Sequence, residues 1–283
     1  MKIAAIQTRE NVPGKLTGDP VKAYEAMEEM FRLTAEAADA GAELIVTIEV
    51  GNACGETKDI ERAQRFRTLN AMIYDRFLAL SQNTCIVAGL YTEEGGKLYN
   101  SAVVFDHGKL LGKYDKIHLP ADEQGVITPG DGFKVFETSA GRVGPMVCWD
   151  MQYPESGRIL ALMGADIIAC PTWGWEDIFR CRAYENSIPM AVAMGVPASG
   201  IIWDCCNPSC IVDKMGNIIS QGTMTDTGII MAELDITKEP EPQYGSGEIT
   251  GKTSMRDIRR SQRLPDRYGY LTQAVTELDK RYH

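Results

Sequence analysis

The chain has 283 residues, of which 44% are hydrophobic and 24% charged, the balance of an ordinary globular protein with room for one large domain or two small ones. Its 29 Lys and Arg stand against 39 Asp and Glu, a net charge of −10, and an acidic chain without a basic block argues against a nucleic-acid partner or an anionic membrane surface. Met1-Lys2 runs straight into Ile3-Ala4-Ala5-Ile6-Gln7, which reads as a core strand rather than a signal peptide. No apolar run approaches the roughly 20 residues that span a bilayer, so no membrane partner and a cytoplasmic setting are expected.

Lys2 to Thr8 is the first predicted strand. Asp19-Pro20 supplies a cap and a first-turn proline for a helix whose inward face is Tyr24, Met27, Phe31, Thr34 and Ala38, and Gly41 ends it. Glu43 to Glu49 is a second strand, nearly continuous in apolar residues and so buried on both faces. Phe66, Leu69, Ile73, Phe77 and Leu80 give a second helix. Three β segments follow, Cys85–Glu93, Lys97–Asp106 and Lys109–Leu119, punctuated by the hairpin turns Glu94-Gly95-Gly96-Lys97 and Asp106-His107-Gly108-Lys109.

The second half repeats this rhythm. Phe133–Thr138 and Val143–Cys148 read as strands, Ser156–Met163 as a helix ending at Gly164, and Ala165–Cys170 as a strand. A helix over about Asp177–Ser187 leads to a strand at Met190–Val196. Ser209–Val212 pairs with Ile218–Ser220, and Gly228–Leu234 is a last strand. Alternating β and α elements with interspersed hairpins predict a mixed-sheet α/β domain over residues 1–237. Residues 238–283 begin as a Glu-, Pro- and Gly-rich loop and end in two short helical patterns around Leu264-Pro265. No sequence-level repeat is visible.

Eight cysteines, Cys54, Cys85, Cys148, Cys170, Cys181, Cys205, Cys206 and Cys210, are expected to be free thiols in a chain of this length without a secretory signal. Cys205-Cys206-Asn207-Pro208-Ser209-Cys210 suggests metal ligation, but no second cluster completes a site and the chain has only His107, His118 and His283, so no metal is expected.

Cys148 stands out because it ends an apolar strand and enters a turn toward a helix, where backbone N–H groups favour a thiolate. Alone, it reads equally as a small buried hydrophobe. A thiol nucleophile needs a proton acceptor and a clamp for its oxyanion. Glu49 offers a carboxylate at a strand end, where α/β sites form, although a loop carboxylate would look the same. Lys116, in Tyr114-Asp115-Lys116-Ile117-His118-Leu119, alternates with Tyr114 and His118 on one strand face, and its bland counterpart is a solvated edge lysine. Trp149, Tyr153, Trp173 and Trp175 either line a pocket or pack under loops.

Strand-Glu49, then Tyr114-x-Lys116-Ile117-His118-Leu119, then Cys148-Trp149-Asp150-x-x-Tyr153-Pro154-Glu155 resembles, in order and separation, the nitrilase superfamily of carbon–nitrogen hydrolases. The likeness extends to Glu123 with Thr128-Pro129-Gly130-Asp131, to Arg158, Leu162, Gly164-Ala165-Asp166 and Pro171-Thr172-Trp173, to Arg182-Ala183-x-Glu185-Asn186, and to Pro208-Ser209 with Asp213 and Gly216. It departs at Thr47-Ile48, where many relatives carry proline, and at Ala193-Met194-Gly195, where relatives often place asparagine.

The resemblance implies a four-layer αββα sandwich of two mixed sheets with helices outside. It implies a cofactor-free and metal-free triad, with Glu49 as general base, Cys148 as nucleophile and Lys116 beside the oxyanion. It makes Glu123 a second carboxylate that holds Lys116, and the Trp149 backbone N–H a second oxyanion donor. Trp149, Tyr153 and Trp173 become candidate substrate contacts. The Cys-Trp-Asp form is closer to amidases and N-carbamoyl hydrolases than to nitrilases, so the expected small-molecule substrate is a linear amide or carbamoyl compound, with a nitrile as the alternative. The family also commonly pairs subunits through helices near the nucleophile and through C-terminal tails, so a homodimer or higher homo-oligomer is expected, with residues 238–283 as an interface-forming part of the same domain. Two other readings stay open: a Cys148–His118 thiol hydrolase, and a non-catalytic interaction protein on the same scaffold.

Overall fold

A computed structural model describes residues 1–9, 20–25, 27–52, 60–173, 177–196, 208–243 and 245–272. Asp19, Cys54, Trp175, Cys205 and Cys206 lie outside the described residues, as does 273–283. The chain divides into two compact units, Met1–Lys238 and Glu239–His283. The first unit opens with β1 (Lys2–Gln7), helices α1 (Pro20–Glu25) and α2 (Glu28–Asp39), β2 (Leu44–Val46) and the long helix α3 (Ile60–Leu80). Then come β3 (Cys85–Glu94), β4 (Lys97–Asp106) and β5 (Lys109–Asp115). Its second half runs β6 (Phe136–Thr138), β7 (Gly141–Pro145), a 3-10 turn (Cys148–Gln152), α4 (Pro154–Leu162), β8 (Ile167–Thr172), α5 (Ile178–Asn186), β9 (Met190–Met194), β10 (Cys210–Val212), β11 (Ile218–Gln221) and β12 (Gly228–Glu233).

Among the described residues these strands form two six-stranded sheets, ordered β12-β1-β2-β3-β4-β5 and β11-β10-β9-β8-β7-β6. Pairing is parallel for β1–β2, β2–β3, β7–β8 and β8–β9, and antiparallel elsewhere. Counted from β12 and from β6, both sheets therefore run antiparallel, parallel, parallel, antiparallel, antiparallel. The architecture is duplicated although the sequence shows no repeat.

Three apolar clusters fix the layers. Ile3, Ala5, Leu44, Val46, Val87 and Val104 of the first sheet meet Val143, Ile167, Ala169, Ala191 and Ile211 of the second, so the sheets pack face to face. On the outer side of the first sheet, Ile6, Ile45, Ile86 and Leu90 pack on Met30, Phe31, Ile73 and Phe77 of the helices. Outside the second sheet, Ile168, Met190 and Val212 pack on Leu160, Ala161, Phe179 and Ala183. This is the αββα sandwich. β2, β8 and β9 are buried at every position because each is covered on both faces, which is why they read as continuous apolar runs. Phe77 sits edge-on to Phe31 and stacked on Phe105, with centroids 5.3 and 5.4 Å away. Each such fully buried ring is worth about 1.5–3 kcal/mol of apolar burial.

Several sequence expectations shift. The first helix is two, with α1 ending at Glu25 and α2 starting at Glu28 after the turn residue Met27. β2 stops at Val46, so Glu49 lies in the turn that follows it rather than at its last position. The predicted strand Lys109–Leu119 ends at Asp115, and Lys116 to Leu119 leave it. There the Lys116 N–H still bonds Asn100 O at 2.8 Å, but the Lys116 carbonyl accepts from Gly130 N at 2.9 Å and the segment folds back over the sheet edge. The strand predicted at Phe133–Thr138 shortens to Phe136–Thr138, and β7 stops at Pro145, leaving Cys148 in the 3-10 turn. α4 begins at Pro154, two residues earlier than expected, with proline in its first turn.

The second unit holds helix α6 (Ser246–Thr250), inside the segment read as loop, and helix α7 (Met255–Ser261), with 3-10 turns at Pro265–Arg267 and Gly269–Thr272. Ser254 caps α7 by accepting from Asp257 N at 3.1 Å. No helix among the described residues is long and apolar enough to cross a membrane.

Candidate active site

Glu49, Asn100, Lys116 and Glu123 form one buried polar cluster. Lys116 is 1% exposed, and its Nζ lies 3.0 Å from Glu49 Oε1 and 2.9 Å from Glu123 Oε2. Asn100 Nδ2 lies 2.7 Å from Glu49 Oε1 and 2.7 Å from Glu123 Oε1. Two donors thus serve two carboxylates that come from the turn after β2 and the loop after β5. The edge-lysine reading is corrected: β5 is an edge strand, but the folded-back segment puts the ammonium inside.

Burial alone pushes the Lys116 ammonium toward its neutral form. Glu49, the Cys148 sulfur and Glu123 outweigh burial and hold it above the ordinary lysine value, so it stays charged. Burial pushes Glu123 up from the usual carboxylate range; Lys116 pulls it back, Glu49 adds to the rise, and hydrogen bonds from Lys116 and Asn100 oppose it.

Cys148 is buried and lies within electrostatic reach of Lys116. Its φ is +43°, a left-handed value that non-glycine residues rarely adopt, whereas Val147 before it is extended at φ −126°, ψ 119°. The reversal at one residue swings the chain out of the sheet and into the 3-10 turn. Val50, directly after Glu49, has the same φ of +43°, a rarer state still for a β-branched side chain. Both turns therefore contain a strained residue.

Asp150 fixes the cysteine turn. It is fully buried, and its Oδ2 accepts from Tyr114 Oη at 2.7 Å and from Val147 N at 3.0 Å. Its Oδ1 accepts the His118 backbone N–H at 3.1 Å and stands 2.8 Å from His118 Nδ1. Burial and the neighbouring Asp150 keep the Tyr114 phenol protonated. Arg182, also buried, holds the far end of the turn by donating to Met151 O at 3.0 Å and Gln152 O at 3.3 Å, which gives the Arg182–Asn186 motif a positional role.

Gly89 on β3 sits where the two sheets meet. A Cβ there would stand 2.7 Å from Glu49 Cα and 2.7 Å from Pro171 Cβ, so only glycine lets the backbone pass.

The aromatic candidates differ in exposure. Tyr153 is exposed and stacks on the His118 ring, with centroids 3.8 Å apart. Trp149 is half-buried in the cysteine turn, and Trp173 is exposed just past the end of β8. All described cysteines, Cys85, Cys148, Cys170, Cys181 and Cys210, are free.

Sequence reasoning missed Asn100 as a site residue and gave Asp150 no role of its own. Each carries a signal. Asn100 is an amide at the start of the buried run of β4, and Asp150 is an acid two residues beyond the predicted strand Val143–Cys148. A polar group in such a place needs a partner.

The carbon–nitrogen hydrolase family profile matches residues 2–239 of this chain. The chain is 32% identical over 246 residues to a nitrilase from Pyrococcus abyssi, spanning 83% of this chain and 90% of that one. It is 30% identical over 239 residues to an omega-amidase from Xenopus laevis, spanning 77% and 85% of the two chains. The crystal structure of a carbon–nitrogen hydrolase from Helicobacter pylori superposes with a TM-score of 0.75 at 25% identity, covering 97% of this chain and 98% of that one. By the extent of the profile and the length of these matches, this chain belongs to the carbon–nitrogen hydrolase family.

Proposed function

We propose that this protein hydrolyses the C–N bond of a linear amide or N-carbamoyl compound through a thioester on Cys148. The observation that carries the reading is the buried Lys116 ammonium, within 3.0 Å of Glu49 and 2.9 Å of Glu123 and electrostatically coupled to the Cys148 sulfur. Glu49 takes the thiol proton as the sulfur attacks the carbonyl carbon. Lys116 and the Trp149 backbone N–H face the developing oxyanion, and each such donor lowers the barrier by about 3 kcal/mol. Collapse of the tetrahedral adduct breaks the C–N bond, and Glu49 returns the proton to the departing nitrogen. Water, deprotonated by Glu49, then attacks the thioester; the thiol leaves and the acid is released. Glu123 holds Lys116 through both halves. Trp149, Tyr153 and Trp173 are the side chains proposed to meet substrate.

The resemblance to an omega-amidase over most of the chain supports an amide, and that to a nitrilase keeps a nitrile as the second substrate class. Against a Cys148–His118 pair stands the engagement of His118, whose Nδ1 lies 2.8 Å from Asp150 and whose ring stacks on Tyr153. The test is ammonia release from amides, N-carbamoyl amines, N-carbamoyl amino acids and nitriles, with Cys148→Ala as the blank. Release by the parent alone supports the proposal and names the substrate group. Equal release by both proteins overturns it, and silence from both across every class favours a non-catalytic scaffold.

We also propose a homodimer or higher homo-oligomer for the working protein, because α4 leaves Ile159 and Leu162, with Met163 just after it, more than a third exposed. Elution as a monomer in gel filtration would remove that part.

A further inference from the structure

We propose that Asn100 is a positioning residue that holds Glu49 in place to accept protons, and Glu123 in place against Lys116, by donating one amide hydrogen to each. The inference rests on the reading of Glu49 as a base and adds to it a residue that the chemistry itself does not consume.

Geometry carries the argument. The Asn100 side chain is fully buried on β4, and its one nitrogen lies 2.7 Å from an oxygen of each carboxylate. An amide nitrogen has two hydrogens, so both contacts are made at once. The reverse orientation would turn the amide oxygen toward two carboxylate oxygens with no proton between them, so repulsion fixes the amide this way round. The backbone carbonyl of the same residue accepts the Lys116 N–H at 2.8 Å. One residue thus holds both carboxylates by its side chain and the lysine by its main chain.

The arrangement has a cost that the fold accepts. Asn100 Oδ1 is buried and has no hydrogen-bond donor among the described residues. An amide placed to supply two N–H groups to two acids must put its oxygen elsewhere.

The titratable groups coupled to the pair are Lys116 from the segment after β5, Tyr91 from β3 and Cys170 from β8, with the Cys148 sulfur acting on Lys116 and Asp122 on Tyr91. Lys116, together with Asn100 itself, opposes the rise that burial and Glu49 impose on Glu123. A donor to a carboxylate favours its ionised form. Loss of Asn100's hydrogens therefore shifts the acid limb of the site's activity to higher pH.

The experiment follows alkylation of Cys148 by iodoacetamide against pH, read by mass spectrometry, together with kcat/KM against pH on an amide cleaved by the parent. Asn100→Ala and Asn100→Ser are compared with the parent, each at equal folded fraction by circular dichroism. The expected result is an acid limb displaced upward by about one pH unit, with kcat/KM at neutral pH lower by about 100-fold, the scale of a misplaced reacting group. Asn100→Asp, which replaces the two-hydrogen donor with an acceptor, should fall further. An unmoved acid limb in a folded Asn100→Ala or Asn100→Ser protein overturns the proposal, because a packing role lowers yield and leaves the limb in place. If neither variant folds, an unmoved limb in Asn100→Asp decides the matter in the same way. Alkylation needs no substrate, so failure of this inference is distinct from failure of the amidase reading.

Discussion

Tyr114 and Asp150 meet at 2.7 Å, the phenol of a strand in one sheet donating to a carboxylate in the turn that leaves the other. Through this bond the segment carrying Lys116 and the turn carrying Cys148 share one anchor. The same Asp150 oxygen accepts Val147 N, so the anchor acts on the residue directly before the cysteine.

Asp150→Asn is expected to place an amide hydrogen or a weaker acceptor against donors that all point at a carboxylate. Unfolding in urea should show a loss of about 2–3 kcal/mol, the scale of hydrogen bonds to a buried charge. Turnover should fall by at least tenfold in protein that remains folded. Unchanged kcat in Asp150→Asn would show that the anchor is dispensable.

Lys116→Ala should be severe and His118→Ala mild. Removing the ammonium leaves two buried carboxylates facing each other, at a cost of about 3–5 kcal/mol, and takes away the proposed oxyanion donor, worth about 100- to 1000-fold in kcat. His118 has a chemical role only in the competing thiol–imidazole reading, so its replacement should cost less than about tenfold, from the lost Asp150 contact and the Tyr153 stack. Steady-state kinetics of the two variants side by side decide between the readings, and a dead His118→Ala with an active Lys116→Ala would reverse the assignment.

Gly89→Ala should push the Glu49 backbone aside, since the new methyl has no room against Glu49 Cα or Pro171. A displacement approaching about an ångström at the proposed base predicts a fall in kcat of about 100-fold, with KM changed much less. A kcat equal to the parent's would show that the two sheets can separate locally without moving Glu49.

Glu123 sets a pH dependence of stability. Its carboxyl titrates above the usual range in the fold, so between its ordinary value and the raised one the folded protein binds more protons than the unfolded chain. That contribution to stability is full below the ordinary value and is lost as pH rises through the raised one. Glu123→Gln removes the titration. Urea midpoints measured from pH 4 to pH 8 should therefore fall less steeply, or rise more steeply, with pH in the variant than in the parent. Identical slopes would place the titration elsewhere.

Much of the fold was legible because burial writes itself into residue order. β2 and β9 are covered on both faces and so are apolar throughout, as is β8 up to Thr172, while α2 shows its one buried face as Met30, Phe31, Leu33, Thr34 and Ala37. Hairpin turns were legible because His107-Gly108 and Gly95-Gly96 adopt positive φ, which selects for such residues. Glu49, Lys116 and Cys148 could be singled out as candidates from their places in or at the ends of predicted strands and from their motifs, and Glu123 from the family resemblance.

What the sequence could not decide is what meets what across the chain. Lys116 left its strand because Gly130, fourteen residues later, takes its carbonyl, and only that return turns an edge lysine into a buried one. Asn100 and Asp150 were passed over because a buried polar side chain is defined by partners from other elements: Glu49 and Glu123 for one, Tyr114, His118 and Val147 for the other. The matched pairing order of the two sheets is likewise a property of backbone hydrogen bonds, which different side chains satisfy equally well. Local periodicity determined the elements, and long-range contact alone determined the register that brings two carboxylates, an amide and an ammonium into one buried cluster beside the cysteine.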